Sequence, residues 1–226
     1  MIQTQNIVKT YSTAEVATTA LSNININIKN GEYVGIVGPS GSGKTSLLCL
    51  LGLVEPPTSG EILFMDIKTS QKKEHQRAKL RRGNIGYIFQ KPNLIDELTV
   101  YENIELPLIY LRYRRKEKIK LVEEILIKLK LIHLRNKYPK QLTEEQQQRT
   151  SIARAIITDP ALLLADEPTG TLNSKSGDNI LKILSELNEE GLTIILATHS
   201  AQVADHVQRV IQIFDGHIIN ETRAIL

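Results

Sequence analysis

Residues Gly38, Pro39, Ser40, Gly41, Ser42, Gly43, Lys44, Thr45 and Ser46 satisfy the pattern G-x-x-x-x-G-K-[ST] in full. The chemistry of such a loop is phosphate capture. Its glycines let the backbone curl until several N–H groups face one phosphate. A helix starting at the lysine adds the positive end of its dipole. Lys44 would reach the β- and γ-phosphates, and the Thr45 hydroxyl would hold Mg²⁺. Two carboxylates follow in "ALLLADEPTG". Asp166 ends an apolar run, where it can hold Mg²⁺ through water. Glu167 comes next and faces another side, where it can orient an attacking water and accept its proton. Gln90 and His199 close two further apolar runs, "GYIFQ" and "TIILATH". The Gln90 amide can touch the metal or the water. Together these groups suit hydrolysis of a nucleoside triphosphate.

Such residues meet only if a sheet brings its strand ends to one edge, where open α/β sheets bind ligands. The sequence supplies the strands. "EYVGIVG" (32–38), "NIGYIF" (84–89), "ALLLAD" (161–166) and "TIILATH" (193–199) are continuous apolar runs, typical of a parallel sheet covered on both faces. "NININI" (23–28) alternates, the period of a half-buried strand, and "EILFM" (61–65) follows the turn "PPTSG". Ile180, Ile183, Leu184 and Leu187 share one helix face. "VIQIFDGHIIN" reads as a hairpin turning at Asp215-Gly216. From about 92 to 142 no buried strand is visible, and Ile119, Val122, Leu126 and Leu129 fall at helical spacing. The middle therefore reads as a helical lobe inserted into an α/β domain.

Composition narrows the class. The 226 residues suit one domain, and 41% hydrophobic with 23% charged residues is an ordinary globular balance. A net charge of +3 is too small by itself to argue for a nucleic-acid partner. The basic runs "QKKEHQRAKLRR" and "RYRRKEKIK" have few aromatics around them and no nucleic-acid-reading motif. They read as solvated helix faces or, more sharply, as a docking surface for protein or lipid headgroups. The single cysteine, Cys49, lies in "SLLCLLGL" and reads as a buried structural thiol. His75, His133, His206 and His217 lack metal-ligand spacing. No apolar run is long enough to span a membrane, and the polar start shows no secretory signal. A membrane part would come from another chain.

"GPSGSGKTS", "YIFQ", "EQQQRTSIARA", "LLLADEPTG" and "ATHS", in this order, closely resemble the nucleotide-binding subunit of ATP-binding cassette (ABC) transporters. "GLVEPPTSGEI", "LTVYENIELPLIY" and "DEPTGTLNSKSG" resemble most the branch serving macrolide exporters, lipoprotein-releasing complexes and antimicrobial-peptide systems. The resemblance implies an α/β fold of the P-loop NTPase class. Its parts would be a mixed central sheet, an N-terminal antiparallel β part and an inserted helical subdomain. Residues 1–226 would form one nucleotide-binding domain, with an ATPase core at about 1–90 and 146–226 and the helical subdomain at about 91–145. It further implies that Tyr11 stacks on adenine and that Gln90 senses the γ-phosphate. Glu167 would be the catalytic base, and His199 would hold the γ-phosphate. ATP and Mg²⁺ are the implied cofactors. The implied partners are an integral-membrane permease, on which the helical lobe docks, and a second nucleotide-binding subunit, with the chain peripheral on the cytoplasmic face of the membrane. Two such subunits close head to tail, each capping the other's ATP with an L-S-G-G-Q signature.

Here that signature reads Leu142-Thr143-Glu144-Glu145-Gln146. Thr143 keeps a hydroxyl, both glycines are lost, and Asn173 stands where the family favours aspartate. Locally the change is mild. Thr143 with Gln146 makes a capping box, and acidic residues suit a helix's first turn. Across a dimer, a carboxylate about 4 Å from a phosphate charge would be repelled by roughly 4 kcal/mol at an effective dielectric near 20. Three arrangements are compatible with the sequence. One is a homodimer that tolerates or turns away the glutamates. Another is a heterodimer with an intact partner signature. The third is a hydrolysis-poor regulatory subunit. A non-transport ABC ATPase, with two cassettes or a long coiled coil, fits less well.

Overall fold

The computed structural model describes residues 1–12, 16–200 and 205–223. In chain order the elements are β1 (Ile2–Ser12), β2 (Ala17–Ile24), β3 (Asn27–Ile28), β4 (Tyr33–Val37), α1 (Lys44–Leu51), β5 (Ser59–Phe64), β6 (Ile67–Lys68), α2 (Glu74–Arg81) and β7 (Ile85–Ile88). Then come α3 (Val100–Tyr110), α4 (Arg115–Lys128), α5 (Glu144–Ile156), β8 (Leu162–Asp166), α6 (Ser174–Glu189), β9 (Thr193–Thr198), β10 (Arg209–Phe214) and β11 (His217–Arg223).

The apolar runs do become a central sheet, in the order β11-β10-β4-β9-β8-β7. All its pairs are parallel except the β10–β11 hairpin. Side chains alternate across a strand, so both faces of each apolar run must be buried. Val34, Ile36, Leu162, Leu164, Ile195, Ala197, Ile211 and Ile213 pack on one face, with α1 and the antiparallel sheet. Tyr33, Leu163, Ala165, Ile194, Leu196 and Val210 pack on the other, with α5, α6 and the helices of the middle segment. Each fully buried Val, Leu or Ile among these contributes about 1.5–3 kcal/mol over its exposed state. The antiparallel sheet runs β2-β1-β5-β6, with β3 also paired to β1.

Some expectations need correction. "NININI" is not one strand: β2 ends at Ile24 and β3 begins at Asn27. The Asn25 side chain accepts from the Asn6 N–H and donates to Asn23 O, which turns the chain at this corner. The in–out alternation survives the corner, with Ile24, Ile26 and Ile28 all buried. On α4, Val122 and Leu126 are buried and Leu129 caps the buried end, but Ile119 is 39% exposed and lies outside that face. Within the first basic run, Arg77 is buried, bound to Lys72 O and Glu74. Cys49 is only partly buried. The hairpin turns at Asp215 and Gly216, both with positive φ.

Candidate functional site

The phosphate loop joins β4 to α1. Gly43 has φ 103°, and a Cβ there would lie 2.6 Å from Ala20 O, so only glycine fits. A Cβ on Gly38 would lie 2.2 Å from Ile213 O. The loop is braced from outside by Gly216, whose N–H donates to Ser42 O at 3.0 Å. Pro39, Ser40 and Gly41 form its exposed rim, while the Ser42 and Lys44 side chains are buried. Lys44 Nζ donates to Gly38 O at 2.8 Å and Pro39 O at 3.0 Å, and lies 3.8 Å from Glu167 Oε1. Tyr11, at the end of β1, brings its hydroxyl to 3.5 Å from Ser46 Oγ. Its ring is 40% exposed, with Lys9 Nζ 4.9 Å from the ring centre.

At the end of β8 the two carboxylates part company. Asp166 faces α1. Burial pushes its carboxyl pKa up, against a hydrogen bond with Thr45. Its Oδ1 is buried with no hydrogen-bond partner among the described residues. An orphaned carboxylate oxygen beside a threonine hydroxyl is a donor set that fits a hard divalent cation such as Mg²⁺. Glu167 turns the other way because its backbone enters the left-handed region, with φ 47°. That conformation costs a non-glycine residue about 1–3 kcal/mol. It is held by Glu167 N–H donating to Ala197 O at 2.8 Å and Gly170 N–H donating to Glu167 O at 3.0 Å. Both oxygens of the Glu167 side chain are engaged. His199 Nδ1 lies 2.9 Å from Oε1, and the Thr198 hydroxyl donates to Oε2 at 3.0 Å. The His199 side chain is 59% exposed against 15% for Glu167, so the pair opens to solvent on the histidine side.

Gln90 does not end a strand. It lies two residues past β7, exposed, because β7 stops at Ile88. A Cβ built on Gly170 would lie 3.0 Å from Gln90 Nε2, which places the amide against the loop that leaves Glu167. Three residues that sequence reading passed over position these groups. Thr198 fixes one oxygen of Glu167. Gln148 Nε2 on α5 donates to Phe89 O at 3.2 Å. Arg154 on α5 donates to Pro92 O and Asn93 O, each at 2.8 Å. The threonine before the strand-end histidine was a readable signal. The α5 contacts had none.

The altered signature starts α5. Thr143 is its N-cap: Gln146 N–H donates to Thr143 Oγ1 at 3.3 Å, and Thr143 N–H to Gln146 Oε1 at 3.0 Å. The two glutamates diverge. Glu144 is exposed, with no side-chain hydrogen bond or ion pair among the described residues. Glu145 folds back against α6. Its Oε2 accepts from Ser176 Oγ at 2.8 Å, and its Oε1 from Asn179 Nδ2 at 3.2 Å and Arg149 Nε at 3.1 Å. Burial raises its pKa, but the hydrogen bonds from Ser176 and Arg149 prevail and hold it below the usual carboxylate range.

Elsewhere, an apolar groove of about 680 Å³ opens between the sheet edge and α3, lined by Tyr87, Phe89, Pro107, Tyr110 and Leu111. Arg81, Arg82 and Arg154 also line it, and no carboxylate among the described residues does. No helix among the described residues is long and apolar enough to cross a membrane.

This geometry matches known proteins along the whole chain. A family model described as ABC transporter matches residues 21–170. The ABC transporter ATP-binding protein MJ0796 of Methanocaldococcus jannaschii is 44% identical over 232 residues, 99% of this chain and 97% of that one. The macrolide export ATP-binding/permease protein MacB of Bartonella quintana is 44% identical over 220 residues, 97% of this chain but 33% of that longer protein. A dimeric structure of a post-hydrolysis state of MJ0796, bound to ADP and phosphate, superposes with a TM-score of 0.90 at 42% identity, over 99% of this chain and 98% of that one. The chain belongs to the ABC transporter family and is one of its ATPase subunits.

Proposed function

We propose that this chain binds Mg-ATP at the phosphate loop and hydrolyses it with Glu167 as general base, as the motor of a separate membrane permease that exports or extracts its cargo. The observation that carries the reading is Glu167 itself. It is turned out of line with Asp166, fixed through both oxygens, and within 3.8 Å of Lys44. Tyr11 stacks on the adenine. The loop N–H groups of 38–46 other than Pro39, with Lys44 and Ser46, bind the phosphates, and Lys44 Nζ exchanges its carbonyl partners for phosphate oxygens. Thr45 and Asp166, with Gln90, would hold Mg²⁺, which when bound would neutralise charge on the phosphates. Glu167 takes the proton of the attacking water, worth about 10²–10⁴ in rate. His199 contacts the γ-phosphate from the exposed side.

The partner reading rests on the groove. An apolar cleft rimmed by arginines, directly before Gln90, suits an apolar permease segment with acidic ends. Docking there would set the chain on the inner face of the membrane, outside the bilayer. A second cassette faces the start of α5, where Thr143, Glu144, Glu145 and Gln146 lie. MJ0796, the similar cassette, has been solved as a dimer. The retraction of Glu145 favours a homodimer that tolerates the altered signature, since one of the two added charges is already occupied within its own chain. The test is ATP hydrolysis by the purified chain, against Glu167→Gln and the double variant Glu144→Gly, Glu145→Gly. Turnover in the unaltered chain that only Glu167→Gln abolishes supports the reading. Turnover only in the double glycine variant would instead point to a heterodimer with an intact partner signature.

A further inference from the structure

Glu145 stands where the L-S-G-G-Q signature has a glycine, so its carboxylate can make contacts that a glycine cannot. The carboxylate reaches across from the first turn of α5 to α6. It accepts the Ser176 hydroxyl at 2.8 Å and the Asn179 amide at 3.2 Å. Arg149, one turn along α5, supplies the countercharge, with its Nε and Nη2 both on Oε1. The side chains of Glu145 and Arg149 are 21% and 20% exposed, which sets the pair apart from a loose surface ion pair.

What the carboxylate holds matters more. Ser176 is the residue through which α6 is capped: its N–H donates to Asn173 Oδ1 at 3.0 Å, and Gly177 N–H donates to Asn173 O at 2.8 Å. Asn173 ends the loop that begins at Glu167. That loop is pinned within itself by Gly170 N–H to Glu167 O and Leu172 N–H to Thr169 O. One side chain of α5 therefore grips the far end of the segment whose near end is the strained Glu167.

We propose that Glu145 is a positioning residue, a strap from α5 to α6 that fixes the 168–173 loop and so holds Asn173 and Glu167 in register. Its catalytic consequence rests on the ATPase reading above, while the strap itself does not.

Hydrogen exchange on the full chain tests the strap directly, with Glu145→Ala, Ser176→Ala and the two combined. Exchange of the amides in 170–178 should rise about tenfold in each single variant while β8 and β9 keep their protection. The double variant should be no worse than the worse single, because the Glu145–Ser176 contact is already lost in either one. Turnover per bound nucleotide should fall severalfold, with KM and nucleotide affinity within twofold, a split that mere loss of folded protein would not give. Unchanged exchange in 170–178 would overturn the strap. So would a rise shared equally by the central sheet, or additive effects in the double variant. Local loosening with unaltered kcat would overturn its positioning role. If the unaltered chain neither binds nor turns over ATP, the ATPase reading fails, and the exchange rates alone decide the strap.

Discussion

At the scale of single residues, Asp166 and Glu167 show how one backbone torsion sends two adjacent carboxylates into two different surroundings. Asp166 continues the strand into a buried place beside Thr45, while Glu167 steps out at φ 47°. Burial raises the Asp166 pKa, so its ionised form is disfavoured in the folded chain. The sign follows. A carboxyl whose folded pKa is raised gives its full stability below the unfolded value, near 3.9, and loses it as pH rises through the folded value. At pH 7 the charge is thus a net cost to the nucleotide-free protein. Asp166→Asn should raise the Tm of the nucleotide-free chain by a few degrees, and should abolish the further rise that Mg-ATP gives the unaltered chain. Thermal scans with and without Mg-ATP read both effects. Glu167→Gln should keep nucleotide affinity within about threefold and lower phosphate release by about 10²-fold or more. Of the two signature glutamates, only Glu144 is free to meet a partner. Glu144→Gly should therefore raise turnover, by up to about 10²-fold if the carboxylate nears the partner's phosphates. An unchanged rate would show that Glu144 also points away.

At the scale of elements, α5 is the organiser. Its start carries the signature and the strap to α6. Gln148 and Arg154 further along hold the segment 89–93 that contains Gln90. One helix thus holds the segment that carries Gln90 and grips the start of α6, which follows the loop leaving Glu167. The loop before α3 has a comparable device in Asn103, fully buried on that helix. Its Oδ1 accepts from Ile95 N–H, and its Nδ2 donates to the carbonyls of Ile95, Leu98 and Thr99. Asn103→Ala would leave several buried backbone groups unpaired, at about 2–4 kcal/mol. Urea unfolding should show that loss with nucleotide affinity unaltered, since Asn103 touches none of the phosphate-site residues.

At the scale of the whole molecule, the phosphate site and the arginine-rimmed groove share the segment around Phe89 and Gln90. Phe89 is 41% exposed and lines the groove, and its carbonyl is held by α5. A partner pressing into the groove would bear on the segment that places Gln90. Tyr110 is 67% exposed at the groove's mouth. Tyr110→Glu should reduce binding of the chain to vesicles from the producing cell severalfold, by sedimentation, with ATP affinity unchanged. Unaltered sedimentation would move the permease contact elsewhere.

The sequence by itself determined the phosphate loop, the paired carboxylates, the strand-end histidine, the apolar strands and the capping box of Thr143 with Gln146. Each is local. A loop glycine, a cap or an in–out alternation is dictated by torsions and neighbours within a few residues, so the string of letters contains the cause. The tertiary structure alone decided which way the signature glutamates turn. Glu145 meets Ser176, 31 residues away, only because α5 and α6 pack side by side on the same face of the sheet. The same holds for Thr198 on Glu167 and for Gln148 on Phe89, 59 residues apart. No periodicity encodes such meetings. They follow from the strand order β9-β8-β7, which brings distant strand ends to one edge and lays α5 along it.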